Sequence, residues 1–527
     1  MHARIPCQDF RGHRGAVHAH LAGAADGRAD LQRVRTVTRS KTRRLAVRRC
    51  PPWPAAGIPF PAVTSRAVAL VLASLALCTE LRASEIQKGE YLTRAADCIG
   101  CHTSNPSRPF AGGYRVPTPF GDVYSTNITP DPDTGIGRYS ADEFVRAVQK
   151  GVRRDGADLY PAMPYDSFAA MSREDVLAIR TYLLAQPPIS QPQPRNILPF
   201  PFNQRWTVAL WKLANLHTGS FTPDRNRTAA WNRGAYLVEV LGHCGACHTP
   251  RNATFGMDED HKLAGGTAGI WQAFNITSDK IAGVGGWSNE ELSRFLKTGA
   301  VPGKAYAGGP MAETVMNSLQ HLSDDDIQAI VAYLRDVPAQ SGDEKQPRFS
   351  WGNAATVDGD AGTEGMTQGS GTAAGDDLYR SLCSTCHGAN GGGSSDGSYP
   401  SLTHNSTPGA ATPEDVAMTI LEGVKAGDVA GRKSMAAFGG WLDDGQVAAL
   451  ANYVTARFGN PDVSVTAADI RQMRAGSTTG QTIMVLAAQS LVACAAVLMP
   501  GLLLLLARRL RRRTSSVRLM SAHRDRR

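Results

Sequence analysis

The stretch GEYLTRAADCIGCH at residues 89–102 ends in two cysteines two residues apart, with a histidine directly after the second. Such a motif is compatible with a zinc site, with thiol redox chemistry or with covalent attachment of haem c. It occurs three times, and its members are Cys98, Cys101 and His102; Cys244, Cys247 and His248; and Cys383, Cys386 and His387. The chemistry of this motif therefore decides which kind of site each of three parts of the chain contains.

The remaining four cysteines help to separate these alternatives. They are Cys7, Cys50, Cys78 and Cys494, and all lie towards the two ends of the chain. A zinc site would need a second Cys/His pair in each unit, and a thioredoxin-like motif would need a βαβ pattern; the sequence has neither. In haem c, two thiols on one helical turn bond the vinyl groups and the next imidazole lies beneath the iron. The sequence therefore predicts three covalently bound haem c groups.

The segments around the first two motifs are related by an internal repeat. KGEYLTRAADCIGCHT at 88–103 corresponds to RGAYLVEVLGHCGACHT at 233–249, and TNITPD further on corresponds to FNITSD. Each unit then closes with a helix that begins at Ser172 or Ser323, with an acidic residue three positions later as in a capping box. The third unit is shorter but keeps the same order of elements.

Each unit is predicted to be a small all-α domain whose first and last helices cross. A glycine of the first helix would allow close approach, and a tyrosine of the last helix would face it. These pairs are Gly89 and Tyr182, Gly234 and Tyr333, and Gly375 and Tyr453. The alternative is that the glycines only interrupt helices. That alternative explains less well why each glycine recurs together with a tyrosine in the closing helix.

The ends of the chain differ from its body. The formal net charge is +9, of which residues 1–66 carry +10 and residues 508–527 carry +8, so the body carries −9. A nucleic-acid-binding protein would carry positive charge on its folded domains, so that class is excluded. The apolar run 67–78 has the length of a signal-peptide core. Residues 483–507 contain no charged residue and are followed by an arginine block, which predicts a transmembrane helix with a cytoplasmic end.

These features predict ten segments. They are a basic leader at 1–66 that we expect to be absent from the mature protein, a signal segment at 67–83, a first domain at 84–190, a Pro-rich linker at 191–228, a second domain at 229–340, a Gly/Ser-rich linker at 341–374, a third domain at 375–460, a juxtamembrane linker at 461–482, the transmembrane helix at 483–507 and a basic cytoplasmic tail at 508–527.

A methionine lies in a predicted loop between each motif and its closing helix. Thioether sulfur at the sixth position of a haem iron raises the reduction potential and closes the iron to substrate. The candidates are Met163, Met311 and Met435, whose proline or glycine neighbours are expected to keep them out of regular helix. Ordinary core packing is the alternative for each of them, and the competing methionines are Met171, Met316 and Met418.

The motifs LYPAMPY, WNRGAYLVEVLGHCGACHTPRNA, GGPMAETVMNSLQHLSDDDI and YPSLTHNST, together with the opening stretch, resemble the tri-haem cytochrome c subunits of membrane-bound bacterial dehydrogenases. The resemblance covers about residues 85–465 and implies an all-α fold of three tandem class I-like cytochrome c domains. It also implies His102, His248 and His387 as fifth ligands, and Met163, Met311 and Met435 as sixth ligands.

The resemblance further implies an electron-transfer subunit with no substrate chemistry of its own. Its partner would be a periplasmic dehydrogenase subunit acting on alcohol, gluconate or a similar substrate, and its acceptor would be ubiquinone or a terminal oxidase. The expected location is the cytoplasmic membrane, with the haem domains on the periplasmic side. The alternatives are a molybdenum hydroxylase as the electron donor, or a self-contained haem enzyme such as a peroxidase, which would need an iron with an exchangeable site.

Overall fold

The computed structural model describes residues 82–352, 370–425, 427 and 431–476, together with scattered positions between 485 and 508. The predicted leader, all but the last two residues of the predicted signal segment, and residues 353–369 of the predicted Gly/Ser-rich linker lie outside the described part. Within it, three repeats follow one another, each containing one Cys–Cys–His motif.

The first two repeats share an order of elements: a long helix, a short motif helix, a β-hairpin and a closing helix. In the first repeat these are α1 (82–95), α2 (Cys98–His102), β1 (Arg115–Thr118), β2 (Gly121–Tyr124), α3 (Ala141–Lys150), α4 (Tyr165–Phe168) and α5 (Arg173–Leu184). A connecting helix, α6 (Arg205–Asn215), follows. In the second they are α7 (Ala229–Ala235), a π-helix (Tyr236–Leu241), α8 (Gly245–His248), a 3-10 turn (Glu259–His261), β3 (Gly266–Ala268), β4 (Trp271–Ala273), α9 (Asn289–Thr298), β5 (Ala300–Val301), β6 (Ala305–Tyr306), α10 (Gly309–Asn317), a 3-10 turn (Leu319–His321) and α11 (Asp324–Leu334).

The third repeat is shorter and its described residues contain helices without strands. After a 3-10 turn (Arg348–Ser350), it consists of α12 (Ser370–Leu382), α13 (Ser384–His387), α14 (Glu414–Glu422), α15 (Asp444–Phe458) and α16 (Ala467–Arg474).

The predicted fold class is wrong as stated. The structure is not all-α, because three antiparallel two-stranded sheets are present, with β1 paired to β2, β3 to β4 and β5 to β6. The predicted transmembrane helix at 483–507 is also not found, since no helix among the described residues is long and apolar enough to cross a membrane. The strands were missed because each spans only two to four residues, too few for an alternating apolar pattern to be recognised.

The predicted helix crossing is confirmed in all three repeats. A methyl group added at Gly89, Gly234 or Gly375 would lie 2.1, 1.9 or 2.5 Å from a carbonyl oxygen of the closing helix, and 2.9, 2.9 or 2.8 Å from the Cβ atom of the facing tyrosine. No side chain fits at such distances, so glycine is required where the two backbones meet.

The closing helices begin where the sequence predicted, but their acidic residues have a different role. Ser172 and Ser323 accept hydrogen bonds from the N–H groups of Asp175 and Asp326, as N-caps do. The two carboxylates do not return to the caps. Instead, each one binds a tyrosine of the other repeat.

Repeats 1 and 2 are joined by a reciprocal pair of hydrogen bonds. The hydroxyl of Tyr91 donates to Asp326 Oδ2 at 2.5 Å, and the hydroxyl of Tyr236 donates to Asp175 Oδ2 at 2.7 Å. These residues occupy equivalent positions in the two repeats, so the two contacts are the same contact made in opposite directions. One hydrophobic cluster also runs through both repeats.

A basic residue completes each half of this interface. Lys88 Nζ lies 3.0 Å from Asp175 Oδ1, and Arg233 Nη2 lies 2.7 Å from Asp326 Oδ2. These cations precede Gly89 and Gly234 and are therefore equivalent too. The pKa of each aspartate is lowered, because hydrogen bonds from the tyrosine and the cation more than offset its burial.

Repeat 3 is joined to repeat 2 through the β3–β4 hairpin. Ile270 and Trp271, at and beside its turn, are buried in the same hydrophobic cluster as the core of repeat 3. The N–H of Gln272 donates to Asp415 Oδ1 at 2.8 Å, at the start of α14. Repeat 2 also meets repeat 3 outside the hairpin, where the carbonyls of Lys304 and Ala307 accept hydrogen bonds from Ser406 Oγ and Arg432 Nη2. Among the described residues, none of these contacts has a reciprocal counterpart.

Candidate functional site

Each predicted histidine ligand is held by a backbone carbonyl. The Nδ1 atoms of His102, His248 and His387 lie 2.7, 2.6 and 2.9 Å from the carbonyl oxygens of Thr126, Phe274 and Pro400, respectively. A carbonyl oxygen only accepts, so Nδ1 carries the proton in each ring. The Nε2 atom of the neutral imidazole is then left with its lone pair, as an axial iron ligand requires.

Burial favours the same protonation state. It lowers the pKa of His102, His248 and His387 from its usual value, because the charged imidazolium loses its hydration in the interior. The three rings are therefore neutral at physiological pH, and their orientation is fixed by the carbonyl that accepts from Nδ1.

The Asn-Ile-Thr segments of repeats 1 and 2 position these carbonyls. In repeat 1, the N–H of Thr129 donates to Asn127 Oδ1 at 2.9 Å; in repeat 2, the N–H of Thr277 donates to Asn275 Oδ1 at 2.8 Å. Each asparagine side chain also donates to the backbone beyond the closing helix. The carbonyl that holds the histidine belongs to the residue just before the asparagine, which explains why the segment recurs.

Burial of several motif cysteines disfavours the thiolate. It raises the pKa of Cys98 and Cys244 to about 12 and that of Cys383 to about 11. Reactive and zinc-binding cysteines need the thiolate, which is favoured by a lowered pKa. Among the described residues there is also no group of three or more His, Cys, Asp or Glu side chains that could hold a metal ion. These properties favour covalent attachment of haem c over the zinc and thiol-redox interpretations.

A large cavity lies beside the first motif and fits a haem group. It has a volume of about 2100 Å³, and its wall includes Cys98, Cys101 and His102 on one part and Met163 on another. Apolar side chains such as Phe144 complete this part of the wall. Two thiols, a neutral imidazole and a thioether around an apolar space are the donor set of a haem c with His and Met ligands.

Of the three predicted methionines, Met163 lines this cavity. Met163 lies in a loop as predicted, whereas Met311 lies in the first turn of α10 and Met435 forms an isolated β-bridge with Val424. The loop prediction for Met311 is wrong because Pro310 is in the first helical turn, where its missing N–H is not needed. Met311 packs against the cluster that also contacts Cys244.

The competing methionines have different surroundings. Met171 is buried in the core of repeat 1 and also borders the cavity, Met316 packs against the same hydrophobic cluster as Met311, and Met418 is buried in the core of repeat 3. Core packing accounts for Met171 and Met418 without a ligand role.

The first two motifs approach each other. Cys247 lines the same cavity as Cys101, and its negative form contributes to the raised pKa of Cys101. The cavity continues to Trp271 and Met418 at the junction with repeat 3. Groups bound at the motifs of repeats 1 and 2 would therefore have neighbouring edges, which sequence reasoning did not predict.

Fold and site together define a c-type cytochrome. The family model described as cytochrome c oxidase, cbb3-type, subunit III matches residues 370–454, which is most of repeat 3. The fructose dehydrogenase cytochrome subunit of Gluconobacter japonicus is 42% identical over 406 residues, covering 74% of this chain and 83% of that protein. The gluconate 2-dehydrogenase cytochrome c subunit of Pantoea cypripedii is 38% identical over 438 residues, which cover 78% of this chain and 95% of that protein.

A third relative is the cytochrome c subunit of the quinone-dependent alcohol dehydrogenase of Gluconacetobacter polyoxogenes, which is 35% identical over 418 residues and covers 76% of this chain and 86% of that protein. The chain therefore belongs to the family of dehydrogenase cytochrome c subunits, as the resemblance of its motifs implied. Electron transfer from a dehydrogenase is the activity consistent with this family, and covalently bound haem c is the cofactor that its cytochrome domain implies.

Proposed function

We propose that the chain carries three haem c groups and conducts electrons from a dehydrogenase subunit to ubiquinone or a terminal oxidase. The observation that carries the proposal is the recurrence of one site: in each repeat a Cys–Cys–His motif has its imidazole held through Nδ1 by a carbonyl. The proposed attachment residues are Cys98, Cys101, Cys244, Cys247, Cys383 and Cys386, and the proposed ligands are His102, His248, His387, Met163, Met311 and Met435.

Haem c bound there supplies one-electron redox chemistry. The residues of the chain hold and orient the group: the histidine carbonyls fix the imidazole planes, and apolar walls such as those of the first cavity exclude water. Ligation on both faces would leave no position for a substrate, which favours a carrier over a peroxidase. Cys101 and Cys247 line one cavity, which supports transfer between the first two groups.

The proposed donor is the large subunit of a dehydrogenase that oxidises a sugar, a sugar acid or an alcohol, since the relatives above serve such enzymes. The proposed location is the periplasmic face of the cytoplasmic membrane, which the predicted signal segment at 67–83 supports. Ubiquinone as acceptor agrees with that location.

Purification of the tagged chain from its host, followed by identification of the co-purifying large subunit, tests the donor. Addition of that subunit's substrate without oxygen should reduce the haems, and a soluble ubiquinone analogue should then reoxidise them. A molybdenum-containing large subunit would favour the alternative donor. Haems that stay oxidised with every substrate of the isolated complex would refute the proposal.

Spectra of the oxidised chain test the ligands. Three low-spin haems, with a Met-to-iron band at the red end of the spectrum, are expected. A high-spin haem in the resting protein would instead indicate an open iron and favour a self-contained haem enzyme.

A further inference from the structure

One buried cation near the second motif is not explained by the packing of the protein. Arg348 lies in the 3-10 turn that follows repeat 2 and is only 9% exposed. One of its amino groups, Nη1, donates to the carbonyl of Ala282 at 2.5 Å, but its buried Nε atom has no hydrogen-bond partner among the described residues. A buried, charged donor without an acceptor is unfavourable unless something else supplies one.

The position of Arg348 links it to the second motif. Its guanidinium lies over the ring of Phe274, 4.4 Å from the ring centre, and the carbonyl of Phe274 is the group that holds His248. Phe274 thus contacts both Arg348 and His248, which is the proposed iron ligand of repeat 2.

The other two histidines have no such neighbour. The residues whose carbonyls hold His102 and His387 are Thr126 and Pro400, which have no aromatic ring on which a guanidinium could lie. In repeat 2, a buried guanidinium thus packs on the residue that holds the motif histidine. Burial lowers the pKa of Arg348 only to about 10, so the charge persists at neutral pH.

We propose that Arg348 is a positioning residue for the haem of repeat 2, whose Nε–H takes a haem propionate as acceptor and whose charge raises the reduction potential of that haem. Haem carries propionate carboxylates, and a guanidinium suits a carboxylate because its N–H groups can bind both carboxylate oxygens. Reduction adds one electron to the haem and makes or breaks no bond. A fixed positive charge in a poorly screened interior stabilises the more negative, reduced form.

The backbone of Arg348 also touches repeat 3. A methyl group at Gly409 would lie 1.9 Å from the carbonyl oxygen of Arg348. The backbone segments around these two residues are therefore in direct contact. Asp415 of repeat 3 and Glu344 are near enough to raise the pKa of Arg348, opposing its burial. The charge that acts on the second haem is therefore held by the junction between repeats 2 and 3, and we expect it to make that haem the better electron acceptor of the first two.

The test is a spectropotentiometric titration of the full-length protein with its haems attached. R348Q should lower one of three midpoint potentials, so that the ratio of reduced to oxidised haem at a fixed potential falls about tenfold, equal to about 59 mV for one electron. R348K keeps the charge and should retain most of the potential. R294Q is the matched control, because it removes an exposed arginine from the same repeat and should leave all three potentials unchanged.

Two further variants keep the test decisive. The component that R348Q moves should be absent from a C244A/C247A variant, which lacks the second attachment site. If R348Q fails to accumulate, E344Q should raise the same component, since it removes a nearby negative charge. An unchanged potential in R348Q or E344Q, or an equal loss in R348Q and R348K, would overturn the proposal.

This inference deepens the proposed function and rests on haem being attached at Cys244 and Cys247. The number of haems per chain is therefore measured first. A wild-type chain with fewer than three haems would refute the attachment, whereas three haems with an unmoved potential would refute only the role of Arg348.

Discussion

Repeats 1 and 2 are joined by contacts that occur twice, whereas repeats 2 and 3 are joined by contacts that occur once. In the first junction, a tyrosine beside the crossing glycine of each repeat binds the aspartate of the other repeat's closing helix. Repeat 3 has neither partner, because Asp377 stands where the tyrosine would be and Gln446 stands where the aspartate would be. A duplicated sequence can thus form a self-complementary interface, as identical subunits do.

The difference has an energetic consequence. The first junction distributes its contacts over two equivalent sites and a shared hydrophobic cluster, so the loss of one site leaves the other. The contacts of the second junction have no such duplicate, and its hairpin places Trp271, which is 9% exposed, in the core of repeat 3. Single substitutions should therefore affect the second junction more than the first.

Trp271→Ala should have the largest effect. Truncation of a buried tryptophan removes apolar contacts and leaves a cavity, which destabilises by about 3–5 kcal/mol. The loss should appear as earlier denaturant unfolding of repeat 3, followed by circular dichroism. Trp441→Ala is the matched control, because Trp441 belongs to repeat 3 and is 76% exposed, so its loss should change stability by less than about 0.5 kcal/mol. Equal effects of the two substitutions would contradict the role given to the hairpin.

Gly234→Ala should come next. The added methyl group would lie 1.9 Å from the Ala329 carbonyl oxygen, and overpacking against backbone destabilises by about 3 kcal/mol. The measurement is the midpoint of denaturant unfolding of the haem-loaded chain. Gly219→Ala is the control, since nothing lies within 4 Å of a methyl group there and its φ is not positive. A midpoint unchanged by Gly234→Ala would show that α7 and α11 do not cross closely.

These crossings show how much the sequence could predict. The glycine and tyrosine positions, the histidines and the caps of the closing helices followed from the internal repeat, because each depends on residues a few positions apart or on a pattern shown twice. The reciprocal contacts were visible in principle, since Tyr91 and Tyr236 occupy equivalent positions. Their partners could not be assigned, because an aspartate three residues after a serine also fits a capping box.

Other features depended on tertiary structure. The position of Met311 was predicted as a loop because proline was taken as a helix breaker, although a proline in the first turn is compatible with a helix. Arg348 was missed because a single arginine after a closing helix resembles any surface cation, and only packing against Phe274 shows that it is buried. Long-range burial of this kind leaves no local pattern in a sequence.

The reciprocal interface predicts two equal, smaller effects. Tyr91→Phe and Tyr236→Phe should each reduce the free energy of unfolding by about 1.5–3 kcal/mol. Each removes a hydrogen bond to a carboxylate and takes the hydroxyl acceptor from the N–H of Ser323 or Ser172. Tyr182→Phe is the control and should change stability by less than about 0.5 kcal/mol, since its hydroxyl has no hydrogen-bond partner among the described residues. Strongly unequal losses in the two tyrosine variants would show that the two halves of the interface are not equivalent.

The second junction should also respond to pH, through Asp415. Burial raises the pKa of Asp415 to about 7, with a further contribution from the charge of Glu414, while the N–H of Gln272 and the charge of Arg348 act in the opposite direction. Between the usual carboxyl pKa near 3.8 and about 7, the folded protein holds a proton that the unfolded chain has released. Stability therefore falls as pH rises through this window, and the loss is complete above it.

Asp415→Asn isolates this contribution, because the amide oxygen can still accept from Gln272 and the side chain carries no charge at any pH. The stability of the variant relative to the native chain should rise steadily between pH 4 and 7, and the difference should then become constant. Thermal unfolding of both proteins across this pH range measures the difference in stability. The reciprocal interface is the internal reference. The pKa values of Asp175 and Asp326 are lowered, so the stability that these residues contribute is lost only in acid. A pH-independent difference between variant and native chain would mean that Asp415 is ionised in the folded junction, and that Arg348 faces a charged carboxylate there.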